Sequence, residues 1–456
     1  MKNFDVIIIG SGQAGTPLAF KMAASGKKVA FIEKQHLGGT CVNDGCTPTK
    51  AYVASARRAW DARHGEELGV IIPDGTSVDL RKVKARKDAL VKKSADGIRK
   101  GVENEDYITL FEGEARFTGG NTVSVNDTEL SAAEIYINVG ARSLIPDNLK
   151  ALDYLTNQSI LELTKLPEHL IVIGGSYIGL EFGQMFKRFG SKVTIVEKAP
   201  KIIGHEDDEI SEQILDFLKE EGIRFRLNSS CTQGQMNEDG SVTVKLDCEQ
   251  GEPEITGSHI LIAVGRKPNT DTLNLEAGGI ETDERGYIKT DDYLETNVKG
   301  VYALGDCNGK GAFTHTAYND FEIIAGNKLS GRDRKVTDRI ISYCLYTDPP
   351  LGRAGMNKTQ AKEKGYDILE AKMPMDKVSR AGEKGETRGS MSVVIDSRSK
   401  KILGASILGV GGDEIISGIL NIMYADAPYA VVRDSVIPHP TVSELIPSML
   451  EGLKGE

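Results

Sequence analysis

Cys41 and Cys46 stand with four residues between them in Gly38-Gly39-Thr40-Cys41-Val42-Asn43-Asp44-Gly45-Cys46-Thr47-Pro48-Thr49-Lys50. A straight helix puts positions five apart on different faces. A disulfide needs Cα atoms within about 4.4–6.8 Å, so the segment between the two must turn. Asn43-Asp44-Gly45 is the composition for such a turn. Thr47 is expected to cap a helix with Pro48 at its first position. Cys46 then falls just outside a helix N-terminus, where the dipole favours a thiolate. This is the pattern of a redox-active pair. A structural staple fits poorly with six cysteines in 456 residues and an N-terminus that lacks the form of a secretory signal. A zinc site would want two further Cys or His at similar spacing. Cys231, Cys248, Cys307 and Cys344 are each isolated, and no metal site is expected.

The elements that must position this pair begin at the N-terminus. Val6 to Ile9 is a β-branched strand that ends in Gly10-Ser11-Gly12-Gln13-Ala14-Gly15, with a helix expected over 16–25 and a second strand, Lys28 to Glu33. Strand, glycine loop, helix, strand and an acid about 20 residues on make a dinucleotide-binding βαβ unit. Its glycines let backbone N–H groups approach a pyrophosphate, and Glu33 would accept from ribose hydroxyls. The unit recurs as Leu170 to Ile173, Gly174-Gly175-Ser176-Tyr177-Ile178-Gly179, a helix and Val193 to Lys198. A shift of 164 residues aligns Gly10 with Gly174, Gly15 with Gly179, Gly26 with Gly190, Val29 with Val193 and Glu33 with Glu197. So regular a repeat implies two dinucleotide sites in one chain. Ser176 stands where the middle glycine belongs.

The length suggests roughly two to four domains. Hydrophobic content of 39% and charged content of 27% describe a globular chain with apolar residues enough for real cores. A net charge of −10 argues against nucleic acid or an anionic membrane as partner. No run of ~18 apolar residues suggests a membrane span, and a cytoplasmic protein is expected. Residues 81–100 read as a solvated helix, 107–139 as short strands, and 203–222 as an amphipathic helix. A composition change near Gly331 to Thr337 suggests a boundary.

With these motifs in place, the chain resembles the FAD-dependent pyridine nucleotide–disulfide oxidoreductase family, which includes dihydrolipoyl dehydrogenase, glutathione reductase and mercuric reductase. The resemblance implies an α/β fold with two Rossmann-like domains, for FAD and NAD(P), plus a C-terminal α+β dimerisation domain. The expected divisions are 1–150 with 266–336 for FAD, 151–265 for NAD(P)H, and 337–456 for dimerisation. It implies FAD contacts from Gly10, Gly12, Gly15, Glu33, Gly39, Thr40, Lys50, Gly140 and Asp306. For NAD(P)H it implies Gly174, Tyr177, Gly179, Glu197 and Gly265, with Tyr177 as an aromatic gate over the nicotinamide pocket. Asn138 and Val139 depart from the family's Ala-Thr before Gly140. Cys41 would meet substrate and Cys46 would face the flavin, with Lys50 and Glu181 paired beside it. His439 and Glu444 match a base and its orienting carboxylate, contributed across a homodimer interface. His315 is read as a packing or backbone-bonding residue, not a catalytic one.

The resemblance therefore implies transfer of electrons from NAD(P)H through FAD and Cys41–Cys46 to a small-molecule or protein-bound disulfide, dihydrolipoyl dehydrogenase-like. The alternative is a mercuric reductase-like reduction of metal ions, to which the wording around Cys41 is similar. It is disfavoured because no vicinal cysteines stand at Leu450 to Glu456, no extra metal-binding domain precedes Val6, and His439 stands where that group has tyrosine. A flavoprotein sensor without turnover is a third class, and the complete set of catalytic candidates argues against it. Glu197 favours NADH by repelling a 2′-phosphate, while Lys198 and Lys201 leave NADPH open.

Overall fold

The structure, a computed structural model, describes residues 1–73, 75–248 and 251–455. β1 (Lys2–Ile9) leads through α1 (Gly15–Ala24) to β2 (Val29–Glu33), and the two strands pair in parallel. The seven-stranded sheet runs Ile108–Glu112, β2, β1, Thr128–Ile137, Thr122–Val125, Arg116–Gly119, and the distant strand Val301–Ala303 joins it beside Thr128–Ile137. Alternation along β1 explains why it reads as an unbroken apolar run. Val6 and Ile8 pack with Leu18 and Met22 of α1, while Ile7 and Ile9 pack on the opposite face with Phe117 and Val123. Both faces are covered.

Two helices carry the cysteines, α2 (Gly39–Asn43) and α3 (Cys46–Arg63), and α4 (Leu80–Glu103) packs beside them. The second repeat builds a parallel five-stranded sheet, with Lys192–Val196, His169–Ile173 and His259–Ile262 at its centre and α5 (Tyr177–Phe189) on it. The amphipathic helix expected over 203–222 begins only at Asp208, as α6 (Asp208–Glu220). Residues 199–207 instead fold back, with Ile203 N–H donating to the Gly175 carbonyl at 3.0 Å. α7 (Thr314–Ser330) closes this half of the chain, and a six-stranded sheet, antiparallel throughout its pairings, follows from Ser342. No helix among the described residues is long and apolar enough to cross a membrane.

One buried charge network ties α3, α5 and the last sheet together. The Arg188 guanidinium grips Glu221 with Nη2 at 2.7 Å and Nε at 2.9 Å, and also reaches Asp348. It lies over the Trp60 ring at 4.4 Å. Arg388 joins from the loop before the strand Ser390–Asp396, 3.2 Å from Glu221. Arg188 and Glu221 side chains are only 3% and 1% exposed, so losing one partner strands a buried charge. Glu221→Ala is expected to cost about 3–5 kcal/mol of unfolding free energy. Denaturant titration followed by fluorescence of Trp60, the single tryptophan, checks this.

Candidate active site

A cleft of about 2100 Å³ runs between the two glycine loops and the last sheet. Gly10, Gly12, Glu33, Gly39, Thr40, Cys41, Cys46, Lys50, Gly140 and Asp306 line it, as do Gly174, Tyr177, Glu181, Glu197 and Gly265. Gly15 and Gly179 do not line it. They act one layer behind, where a Cβ would lie 2.1 Å from the Gly10 carbonyl oxygen and 2.0 Å from that of Gly174. Only glycine lets each helix start so close to its loop.

The two loops are built alike. Glu33 accepts from Ser11 N–H at 2.9 Å and Gln35 N–H at 2.8 Å, and Glu197 accepts from Gly175 N–H at 2.7 Å and Ala199 N–H at 2.8 Å. Each acid thereby locks its strand end to the loop and leaves carboxylate lone pairs facing the cleft. Ser176 has φ −109°, which any residue adopts, so the missing glycine introduces no strain. Asn138 turns its departure from the family into a brace. It accepts from Gly15 N–H at 2.9 Å and donates to the Leu304 carbonyl at 2.8 Å, joining α1 to the Val301–Ala303 strand.

At the redox pair the expected turn forms at Asp44-Gly45, but Thr47 does not cap the helix. α3 begins at Cys46 itself, with Gly45 at the N-cap. A Cβ on Gly45 would meet the Thr40 carbonyl oxygen at 2.8 Å, and that tight crossing of α2 and α3 moves the helix start forward. Both cysteines are free thiols and they are not equivalent. A hydrogen bond from Cys41 lowers the Cys46 pKa to about 6 against the cost of burial, helped by Thr314 and Lys50. Thr314 Oγ1 lies 3.1 Å from Cys46 Sγ. Cys41 is pushed far up by the same hydrogen bond and by burial. Cys46 is thus the thiolate and Cys41 keeps its proton.

Lys50 Nζ donates to Glu181 Oε2 at 2.7 Å, and lies over the Tyr346 ring at 4.5 Å. Glu181 Oε1 accepts from Tyr346 N–H at 2.9 Å. His315 does as expected: its Nε2 is 2.7 Å from the Ser342 carbonyl oxygen, and its ring stacks on Phe313 at 5.4 Å. Thr314, Tyr346 and Arg266 escaped the reading of the sequence. Thr314 adjoins His315 and Arg266 adjoins Gly265, but nothing in the sequence near Tyr346 signalled it.

The cleft's chemistry suits FAD. The Asp306 carboxyl is pushed up by burial, its charge countered by Arg266, whose Nε lies 3.5 Å away and has no hydrogen-bond partner among the described residues. A buried acceptor and an unpartnered donor side by side are what a polyhydroxyl chain satisfies. His439 and Glu444 pair at 2.9 Å but lie apart from the cleft. Glu444 is 12% exposed and His439 is 77% exposed, an imidazole presented outward.

Comparisons with known proteins identify the family. The family described as pyridine nucleotide-disulphide oxidoreductase matches residues 4–320, and its dimerisation domain matches residues 341–450. A mercuric reductase of Staphylococcus aureus is 34% identical over 97% of this chain and 81% of its own length. The probable pyridine nucleotide-disulfide oxidoreductase RclA of Escherichia coli is 32% identical over the full length of both. A dihydrolipoyl dehydrogenase of Bacillus subtilis is 32% identical over 97% of this chain and 94% of its own. Among solved structures, the HOCl-induced flavoprotein disulfide reductase RclA superposes with a TM-score of 0.90 at 32% identity, covering 99% of this chain and 100% of that one.

The ionisation of Cys46 is directly measurable. Its alkylation by iodoacetamide in the reduced protein should follow a titration with midpoint near 6, slowing as acid protonates the thiolate. Thr314→Val removes a hydrogen bond to the thiolate and should move that midpoint upward. Peptide mapping of the alkylated sites at each pH checks both expectations.

Proposed function

This chain belongs to the pyridine nucleotide-disulphide oxidoreductase family, and we propose that it reduces a disulfide through Cys41 and Cys46. It is a FAD-dependent, NAD(P)H-using enzyme that acts on sulfur groups. FAD, when bound, supplies the two-electron chemistry that couples a hydride donor to a dithiol. The observation that carries the proposal is the asymmetry of the pair, a thiolate at Cys46 beside Lys50 and a protonated thiol at Cys41.

In our reading, residues 1–150 with 266–336 hold FAD, 151–265 hold NAD(P)H, and 337–456 form the dimer contact. The return of Val301–Ala303 to the first sheet supports the discontinuous division. Gly10, Gly12, Gly15, Glu33, Gly39, Thr40, Gly140 and Asp306 would hold FAD, and Gly174, Gly179, Glu197 and Gly265 the nucleotide, with Tyr177 as its gate. His439 of the partner subunit, oriented by the partner's Glu444, takes the proton of Cys41. The Cys41 thiolate attacks the substrate disulfide, and the first leaving thiol accepts that proton. The Cys46 thiolate then attacks Cys41 Sγ, closing the Cys41–Cys46 disulfide and releasing the second sulfur as a thiolate, which takes its proton from solvent. A homodimer with a shared site is therefore part of the proposal.

Two observations narrow the substrates. Lys201 is committed to the Glu206 carbonyl at 2.8 Å and Asp208 at 2.7 Å, which withdraws one cation from any 2′-phosphate and favours NADH. A second cavity of about 570 Å³ adjoins the redox helix at Thr47, lined by Phe20, Leu90, Lys93, Ser94, Gly97 and Ile98. Neither cysteine lines it, and with apolar walls and one cation it suits the aliphatic chain of lipoamide better than the several carboxylates of glutathione disulfide. A second reading, reduction of a soft metal ion, is supported by the two adjacent sulfurs of Cys41 and Cys46. Among solved relatives is a Cu(II) complex of RclA, 31% identical to this chain.

Assaying lipoamide, glutathione disulfide, Hg²⁺ and Cu²⁺ in parallel tests the proposal: lipoamide should be turned over fastest, and activity with metal ions alone would refute it. NADH should exceed NADPH in kcat/KM by about 10-fold or more, because Glu197 opposes a 2′-phosphate. His439→Gln should lower kcat/KM for the disulfide by about 10²- to 10⁴-fold. Steady-state kinetics of the purified dimer measure all three.

A further inference from the structure

Tyr177 opens α5, half-buried at the edge of the cleft, yet its neighbours come from elsewhere in the chain. Tyr343 meets its ring edge-on at 5.5 Å and Phe313 at 6.0 Å, and those two rings stack on each other at 5.7 Å. The Tyr343 hydroxyl donates to Glu206 Oε1. Glu206 belongs to the loop that folds back on the second glycine loop through Ile203, which sits at φ +46°. That left-handed conformation is costly for a β-branched residue, so the loop is held there against strain.

Glu206 is 2% exposed, and among the described residues its carboxylate has one hydrogen bond, the one from Tyr343. The countercharge is Arg353, the cross-strand partner of Tyr343, 3% exposed and with Nη1 3.9 Å from Oε2. Among the described residues, Arg353 Nη2 has no hydrogen-bond partner. A buried carboxylate with one donor and a distant cation is a poor way to fill space, since an apolar side chain would do it at lower desolvation cost. Such a carboxylate does hold its single donor hard, through a charge-assisted bond. That donor is the ring that touches Tyr177.

We propose that Tyr343, pinned by Glu206, is a positioning residue that holds the Tyr177 ring over the nicotinamide pocket. The inference rests on the reading of Tyr177 as the gate. When a gate must open before a ligand binds, the apparent affinity is reduced by the fraction of open molecules. The Glu206–Tyr343 latch thus sets how much of the nucleotide's binding energy is used in displacing Tyr177. Arg353, the countercharge at 3.9 Å, stands on the other side of that carboxylate.

The test is equilibrium binding of NAD⁺ to the purified flavoprotein by calorimetry, in the parent, Tyr343→Phe, Tyr177→Ala and the double variant. Tyr343→Phe keeps the ring and removes only the hydroxyl, so Kd should fall by about 3- to 10-fold, the equivalent of one hydrogen bond. A residue of merely structural importance would weaken binding, not tighten it. Tyr177→Ala should tighten binding at least as much, and the double variant should match Tyr177→Ala because the latch acts only through the gate. An unchanged or weaker Kd in Tyr343→Phe, with Tyr177→Ala still tightened, overturns the latch and leaves the gate standing. A Tyr343→Phe effect that persists without Tyr177 also overturns it. No change in Tyr177→Ala removes the gate itself.

Discussion

The ion pair between Lys50 and Glu181 is what the site depends on. Lys50 lies one helical turn beyond Cys46 on α3, and Glu181 lies one turn beyond Tyr177 on α5. Their 2.7 Å contact therefore fastens the starts of two helices to each other, and those starts carry Cys46 and Tyr177. The second oxygen of Glu181 takes the Tyr346 N–H, so the C-terminal sheet is held at the same point. Glu181 is 7% exposed against 34% for Lys50, which makes the carboxylate the partner that could least tolerate loss of the other.

From that fixed point the electrostatics of the thiols follow. Two adjacent thiols cannot both ionise easily, because the second negative charge would face the first. Lys50 and Thr314 stand on the Cys46 side, and the Cys41 proton is directed at Cys46 Sγ. One thiolate results, and it is the one next to the cleft's ion pair. Cys41 then needs a base to become a nucleophile, and the imidazole of His439 faces outward, away from its own cleft. In the proposed reaction that base comes from a second copy of the chain.

Much of this was legible in the sequence because it is local. The glycine loops, their acids, the cysteine pair and the His439–Glu444 spacing each lie within about one βαβ unit or one turn, where spacing alone dictates geometry. The contacts that escaped are long-range. Thr314 reaches Cys46 across 268 residues and Tyr343 reaches Glu206 across 137, and no periodicity encodes such a meeting. Thr47 misled for a different reason. It lies inside the helix and makes no cap, because Gly45 allows α3 to start at Cys46, close against the Thr40 carbonyl. Asn138 read as a departure from pattern, and only the folded chain reveals that both ends of its amide are used.

The central claim is that electrons from the nucleotide come to rest on Cys41 and Cys46. Anaerobic addition of one equivalent of NADH to the air-oxidised flavoprotein, followed by acid quench, alkylation and peptide mapping, tests it most directly. The account predicts that two thiols appear per NADH consumed, at Cys41 and Cys46, with Cys231, Cys248, Cys307 and Cys344 unchanged. NADH consumed without new thiols at those two positions would contradict it.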